Sequence, residues 1–329
     1  MNLCIIKLGA KGDVIRTLPL LIALKNKFPD SKITWITKKS SEEIVKTSQY
    51  VKEVITIPIS APLPSYDILY NFDIDDEATS LAMQIKAGKK YGFYAEAGYP
   101  ASFNFQGEYY LSTIFDDEVK KSNTKNYQEM MFEIAELPYN KEHHSIFLSE
   151  KENKYAKDFI IKNPIKGSLI GIHLGAADRW PSKKWHQLNL IEFIVKAKAR
   201  GFEILLFGGP NEIQEHEKIY NALKSENLTI LRNNPQNTDL EFTALVNLCK
   251  VMICSDSFAL HVALAMKKHT IGLFFCTPPN EVEEYGLLHK LVSPYLYEFF
   301  PEKMDVYDEN LTKSISADQV LEEVQKIIQ

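Results

Sequence analysis

Apolar residues in this chain come in short unbroken runs, separated by stretches in which they recur every third or fourth position. Residues 3–8 form the first run, broken only by Lys7, and Gly9-Ala10-Lys11-Gly12 follows as a turn. Val14, Leu18, Leu21, Ile22 and Phe28 then recur at helical spacing, and Pro19 predicts a kink or a restart of that helix near Thr17. Runs at 33–37, 54–57 and 68–72 predict three more strands, with helical stretches between several of them. The middle of the chain, 94–122, is aromatic and irregular; helices are predicted over 126–137 and 150–161, and Asn163-Pro164-Ile165-Lys166-Gly167 reads as a linker. The alternation then begins again. Strands are predicted at 169–174, 203–207, 228–231, 251–254 and 270–274, and helices at 181–199, 212–225, 240–248 and 258–265. A closing helix runs from an N-cap at Ser316 to 328. Strand–helix alternation implies parallel sheets with helices on both faces. Its restart implies two α/β units of about 150 residues each, with ligands bound beyond the C-terminal ends of the strands.

Composition narrows the function classes. At 45% hydrophobic and 25% charged, 329 residues hold enough apolar material for two separate cores. A net charge of −5 gives no global basic field for nucleic acid. The first 60 residues nonetheless carry ten Lys/Arg against five Asp/Glu. That segment either faces an acidic substrate or an anionic lipid surface, or is a solvated set of lysines. No apolar run approaches the ~18 residues of a membrane span. The N-terminus opens directly in a strand pattern, without a basic leader or cleavage site, which predicts no signal peptide and a cytoplasmic location. Cys4, Cys249, Cys254 and Cys276 have no zinc-type spacing, and Cys4 and Cys254 read as core residues.

Four segments stand out as candidates for chemistry. In Lys7-Leu8-Gly9-Ala10-Lys11-Gly12-Asp13, the glycine turn allows close backbone approach, and Asp13 either caps the following helix or acts as a general base. In His173-Leu174-Gly175-Ala176-Ala177-Asp178-Arg179-Trp180-Pro181-Ser182-Lys183-Lys184-Trp185, free N–H groups and Arg179, Lys183 and Lys184 suit phosphate, or else the two tryptophans pin a solvated loop. In Phe207-Gly208-Gly209-Pro210-Asn211-Glu212, a helix-start acid could hold ribose hydroxyls. In Cys254-Ser255-Asp256-Ser257-Phe258-Ala259-Leu260-His261, a helix N-terminus follows a buried strand and suits a leaving diphosphate, with His261 either a ligand or a packed structural residue. Asp73-Ile74-Asp75 has the D-x-D form of a metal site but reads as loop and N-cap acids, so no metal ligand is assigned.

In this order and spacing the four segments resemble glycosyltransferase family 9, the heptosyltransferase family. The run from Lys7 to Thr37 is similar to that family's N-terminal signature, and the second segment to its H-x-G…W-P-x-x-x-W element. The third resembles its G-x-x-x-E turn. The fourth, continued through Gly272-Leu273-Phe274, Thr277-Pro278-Pro279 and Tyr285-Gly286, resembles its nucleotide-binding signature. The resemblance implies an α/β GT-B fold: two Rossmann-like, doubly wound parallel-sheet domains facing across a cleft. The expected domains are an acceptor domain at 1–164 and a nucleotide-sugar domain at 165–315, with the helix 316–329 packing back on the first. It also implies an inverting, metal-independent transfer with no cofactor beyond the nucleotide sugar, most simply heptose from ADP-heptose, onto an anionic glycan or glycolipid of the lipopolysaccharide core. Another nucleotide sugar, a protein acceptor or a degenerate binding protein are the alternatives, and peripheral contact with the inner membrane stays open. Asp13 matches the base, with Lys11, Gly12 and Arg16 on the acceptor side. The donor side comprises His173, Gly175, Ala176, Arg179, Lys183, Phe207, Gly208, Glu212, Ser255, Asp256, Ser257 and His261. The sequence departs from the family pattern at Asp178, where Lys is usual, and at Phe258 and Phe275, where glycines are usual and a bulky ring is expected to crowd the donor pocket.

Overall fold

A computed structural model of the chain describes residues 1–175 and 179–328. It divides into two compact units, Met1–Phe147 with Asn280–Glu283, and Leu148–Pro279 with Glu284–Gln329. Each unit is built on one six-stranded sheet.

The first sheet comprises β1 (Asn2–Ile6), β2 (Lys32–Lys38), β3 (Val51–Ile57), β4 (Tyr66–Asn71), β5 (Ala87–Glu96) and β6 (Tyr99–Ser102), in the order β3-β2-β1-β4-β5-β6. All neighbours are parallel except β5 and β6. Leu3, Cys4, Ile5 and Ile6 of β1 are fully buried, as a central strand covered on both faces requires. Pro19 restarts the first helix as expected: one helix is Lys11–Thr17, the next Leu20–Lys27. The aromatic stretch read as irregular is instead the β5–β6 hairpin and the helices Gln106–Phe115 and Asp117–Ser122. Its turn places Ala97 and Gly98 at positive φ (49° and 86°), the geometry of a tight two-residue hairpin without the usual Asn-Gly signal.

The second sheet comprises β7 (Leu169–His173), β8 (Glu203–Phe207), β9 (Leu231–Arg232), β10 (Val251–Ser255), β11 (His269–Phe274) and β12 (Leu288–Val292), in the order β12-β11-β10-β7-β8-β9, all parallel. The predicted helix over 181–199 is a single 3₁₀ turn, Pro181–Lys183, followed by Gln187–Ala199.

Two expectations about the domains are corrected. The boundary falls at Phe147/Leu148 rather than 164/165, because the helix Glu150–Lys162 packs in the second unit beside Asp239–Leu248, where Asn237 Nδ2 donates to Tyr155 Oη at 2.6 Å. The closing helix, Ala317–Ile328, also packs in the second unit, against Gln187–Ala199 and β11. Its apolar stripe of Ala317, Val320, Leu321 and Val324 joins Phe193, Ile194 and Ile271 in one core. Among the described residues no helix is long and apolar enough to cross a membrane.

Candidate active site

Both sheets start in the middle, grow to one side and then return to the other, so each reverses direction once. Ligands in sheets of this kind bind beyond the carboxyl ends of the strands at the reversal. In the first unit that point lies between β1 and β4, whose ends lead into Lys7-Leu8-Gly9 and Phe72-Asp73. In the second it lies between β7 and β10, leading into Leu174-Gly175 and Asp256-Ser257. Three of the four sequence segments therefore start at a reversal point.

In the first unit, Asp73 organises the turn. Its carboxylate pairs with Lys7 Nζ at 2.6 Å and accepts the backbone N–H groups of Leu8 and Gly9, the latter at 2.8 Å. Lys7 also donates to the Phe72 carbonyl at 2.9 Å. Burial works against the Lys7 ammonium, but the carboxylates of Asp73 and Asp13 outweigh it and hold its pKa well above the ordinary value. Asp73 is thus committed as a clamp on the glycine turn, and Asp75 stands at the N-cap position of Asp76–Gln84. Gly9 is needed for space: a Cβ there would stand 3.1 Å from Asp73 Oδ1 and 3.4 Å from Asp13 Oδ2.

Asp13 lies in the first turn of Lys11–Thr17, which starts at Ala10 without a side-chain cap among the described residues. The carboxylate is held by Arg16, through Nη2 at 2.7 Å and Nε at 3.0 Å, both to Oδ1. Arg16 lies over the ring of Tyr127, with Cζ 3.8 Å from the centroid. The buried Tyr127 and the half-buried Tyr110, whose hydroxyl desolvation pushes above its usual range, were not legible as site residues. They come from helices more than 90 residues downstream of Asp13 and carry no motif. Lys11 and Gly12 sit on the same helix as Asp13.

In the second unit the structure joins the second and third segments. His173 ends β7 and Phe207 ends β8, and the two are register partners. A Cβ on Gly175 would stand 2.8 Å from His173 Cε1 and 3.1 Å from the Glu212 carboxylate. Glu212 Oε2 accepts the Gly209 N–H at 2.8 Å. Gly208 is gripped by Asn233, which accepts its N–H and donates to its carbonyl, both at 3.0 Å. Asn233 was not singled out from the sequence, since nothing marks it in the run Asn233-Asn234-Pro235. Burial lowers the His173 pKa to about 4 despite the nearby Glu212 carboxylate. The Phe207 ring faces the core, edge-on to Phe242 at 5.2 Å, and reaches the turn only through its carbonyl, which accepts from Leu174 N–H.

The second and fourth segments also meet. Lys183 Nζ donates to the Asp256 carbonyl at 2.9 Å and pairs with its carboxylate at 3.0 Å, and Ser255 Oγ donates to the Lys183 carbonyl. His261 Nε2 lies 3.9 Å from Asp256 Oδ1, behind that pair and buried. Ser257 is the N-cap of Phe258–Ala265, yet its Oγ, like Thr277 Oγ1, is buried without a hydrogen-bond partner among the described residues. A helix N-terminus with an unsatisfied hydroxyl at its cap suits an anionic ligand. Arg179 is exposed and stacks on Trp180, with Cζ 4.6 Å from the ring centroid, while Trp185 is buried and donates to the Ile315 carbonyl at 2.9 Å. Ala176 and Asp178 lie outside the described residues. The expected crowding by Phe275 is corrected: it is 1% exposed and packs within the core with Ile271 and Leu273. Phe258 leans on Phe242 at 5.8 Å, in a ring cluster that includes His173.

The chain is similar to several known proteins. The model of glycosyltransferase family 9 (heptosyltransferase) matches residues 64–299. The lipooligosaccharide heptosyltransferase 2 of Haemophilus ducreyi is 22% identical over 356 residues, which cover 100% of this chain and 99% of that protein. The lipopolysaccharide heptosyltransferase 2 of Salmonella typhimurium is 26% identical over 171 residues, 51% of this chain, so that the chain spans about half (47%) of that relative's length. Among solved structures, a family 9 glycosyl transferase from Veillonella parvula superposes with a TM-score of 0.78 at 18% identity, covering 99% of this chain and 97% of that one. The Escherichia coli ADP-heptose heptosyltransferase II gives 0.73 at 18% identity, covering 100% and 98%.

Proposed function

This chain belongs to glycosyltransferase family 9, the heptosyltransferase family, and on that premise we propose that it transfers heptose from ADP-heptose to an anionic acceptor of the lipopolysaccharide-core type, with inversion and without a metal ion. In this reading Asp13 removes the acceptor hydroxyl proton as its oxygen attacks the anomeric carbon. The carbon–oxygen bond to the diphosphate breaks, and ADP leaves with that electron pair. The diphosphate is received by the N-terminus of Phe258–Ala265 with Ser257, by the N–H groups beside Gly175, and by Lys183 and Arg179. Lys183 is already held at Asp256, so its charge is in place before the donor arrives. Glu212 and the Gly208 turn receive the ribose, with His173, Ser255, Asp256 and His261 shaping the floor. Lys11 and Gly12 line the acceptor side.

The observation that carries the reading is the position of Asp13. It stands at the strand reversal of its unit, in the first turn of the helix Lys11–Thr17, and is bound to a guanidinium. The test is Asp13→Ala: turnover falls by ~10²–10⁴ while ADP affinity, measured by titration calorimetry, is unchanged. Near-normal turnover would reject Asp13 as the base. Calorimetry with ADP, UDP and GDP, with and without EDTA, tests the donor; EDTA-sensitive binding would reject the metal-free reading, and preference for UDP or GDP the heptose donor.

A further inference from the structure

We propose that Tyr127 and Arg16 are positioning residues for Asp13, so that Arg16 serves the carboxylate and not the anionic acceptor; this rests on Asp13 acting as the base. Tyr127 is 2% exposed and opens the helix Tyr127–Ile134. The start of that helix is fixed by a reciprocal cap, Asn126 Oδ1 accepting Glu129 N–H at 2.9 Å and Glu129 Oε2 accepting Asn126 N–H at 2.7 Å. From this fixed point Tyr127 grips the Asp13 helix twice. Its ring face lies 3.8 Å from Arg16 Cζ. Its hydroxyl lies 3.0 Å from Thr17 Oγ1, which itself donates to the Asp13 carbonyl at 2.7 Å, so Tyr127 is the donor to Thr17.

Arg16 directs both Nε and Nη2 at the single oxygen Oδ1. The carboxylate plane is thereby set, with Oδ2 turned toward Gly9. A planar guanidinium with one face on a ring and one edge on a carboxylate has one orientation; an ammonium in its place has many. The Asp13 carboxylate also acts on Lys7, which is paired with Asp73, and Tyr110 lies within electrostatic reach of Asp13, Lys7 and Arg16. Arg16 is therefore engaged on one face by the ring and along one edge by the carboxylate before any acceptor arrives.

The experiment compares wild type with Arg16→Gln, Tyr127→Leu, Tyr127→Phe and Asp13→Asn. It measures kcat and acceptor KM with ADP-heptose and a de-acylated lipopolysaccharide-core oligosaccharide, the pH dependence of kcat, and the carbon-13 titration of the Asp13 carboxyl, assigned by its loss in Asp13→Asn. The carboxyl titration needs no substrate. Arg16→Gln and Tyr127→Leu are expected to lower kcat by ~10–100-fold with acceptor KM within about twofold. Both should raise the Asp13 midpoint and the acid limb of the profile, by about one pH unit for Arg16→Gln. Tyr127→Phe keeps the ring and stays near wild type in both. An acceptor KM raised tenfold with kcat intact would make Arg16 an acceptor ligand and overturn the proposal, as would an unmoved titration midpoint. Arg16 is less buried than Tyr127, with 17% of its side chain exposed, so its variant decides the matter if Tyr127→Leu does not fold. Asp13→Asn separates the two readings: full turnover there rejects the base itself, whereas an inactive Asp13→Asn beside a normal Arg16→Gln rejects only the positioning pair.

Discussion

Gly9 and Asp73 show how closely the first cluster is built. Gly9 has no left-handed backbone requirement; its role is to bring β1 within reach of two carboxylates. Gly9→Ala is expected to push Asp73 and Asp13 apart and to cut turnover by tenfold or more, since misplacement by ~1 Å costs up to ~10² in rate; steady-state kinetics check this. Asp73 presents the same lesson in charge. Removing one partner of a buried ion pair leaves the other uncompensated, at ~3–5 kcal/mol. Asp73→Asn should destabilise the first unit by that order in urea unfolding, and Lys7→Met with Asp73→Leu should destabilise it less. The sequence displayed both residues but assigned Asp73 to a loop, because nothing local shows that residue 73 returns to residue 7. In the second unit, Glu212 and Gly175 were legible as turn residues. Their mutual approach was not, because it depends on β7 and β8 lying side by side.

At the scale of elements, most strands and helices were written in the periodicity, and the helix Phe258–Ala265 matches its expectation to the residue. Three strands escaped. β6 follows a turn with no glycine–asparagine signal, β5 carries mixed burial along its length, and β12 is an edge strand with one buried residue. Gly92 in β5 has φ +86°, and a Cβ there would stand 1.8 Å from the Asn71 carbonyl oxygen. Gly92→Ala should therefore cost more than ~1 kcal/mol, against a stabilising effect at an ordinary position, as thermal unfolding would reveal. The closing helix was foreseen with its Ser316 cap, which accepts Gln319 N–H at 3.3 Å. Its docking site was assigned to the wrong unit. An amphipathic stripe specifies that a helix packs, and the partner surface is a property of the sheet it meets. Leu321→Ala is expected to cost ~2–5 kcal/mol and to lower the unfolding midpoint reported by Trp185, whose indole N–H is held by Ile315 at the start of that helix. The midpoint reported by Trp35, in the first unit, should not move.

At the scale of the molecule, buried histidines set an acid limit. His173 in the second unit and His144 in the first both have pKa values lowered to about 4 by burial. A histidine whose folded pKa is depressed leaves stability intact above its ordinary value near 6.5. Below that, the unfolded chain binds the proton first, and stability is lost as pH falls from about 6.5 toward 4. His173→Gln should flatten the decline of the Trp185 midpoint between pH 7 and pH 5, and His144→Gln that of Trp35. The chain by itself determined two α/β units, the glycine turns that end their central strands, and the family they resemble, because hydrophobic period and turn chemistry are local properties. Only the tertiary structure decided that the boundary precedes the helix Glu150–Lys162, that Phe275 belongs to the core, and that Tyr127 lies under the guanidinium of Arg16 beside Asp13. Each of these is a contact between residues whose proximity is created by strand order and helix docking, and pattern along the chain carries no record of it.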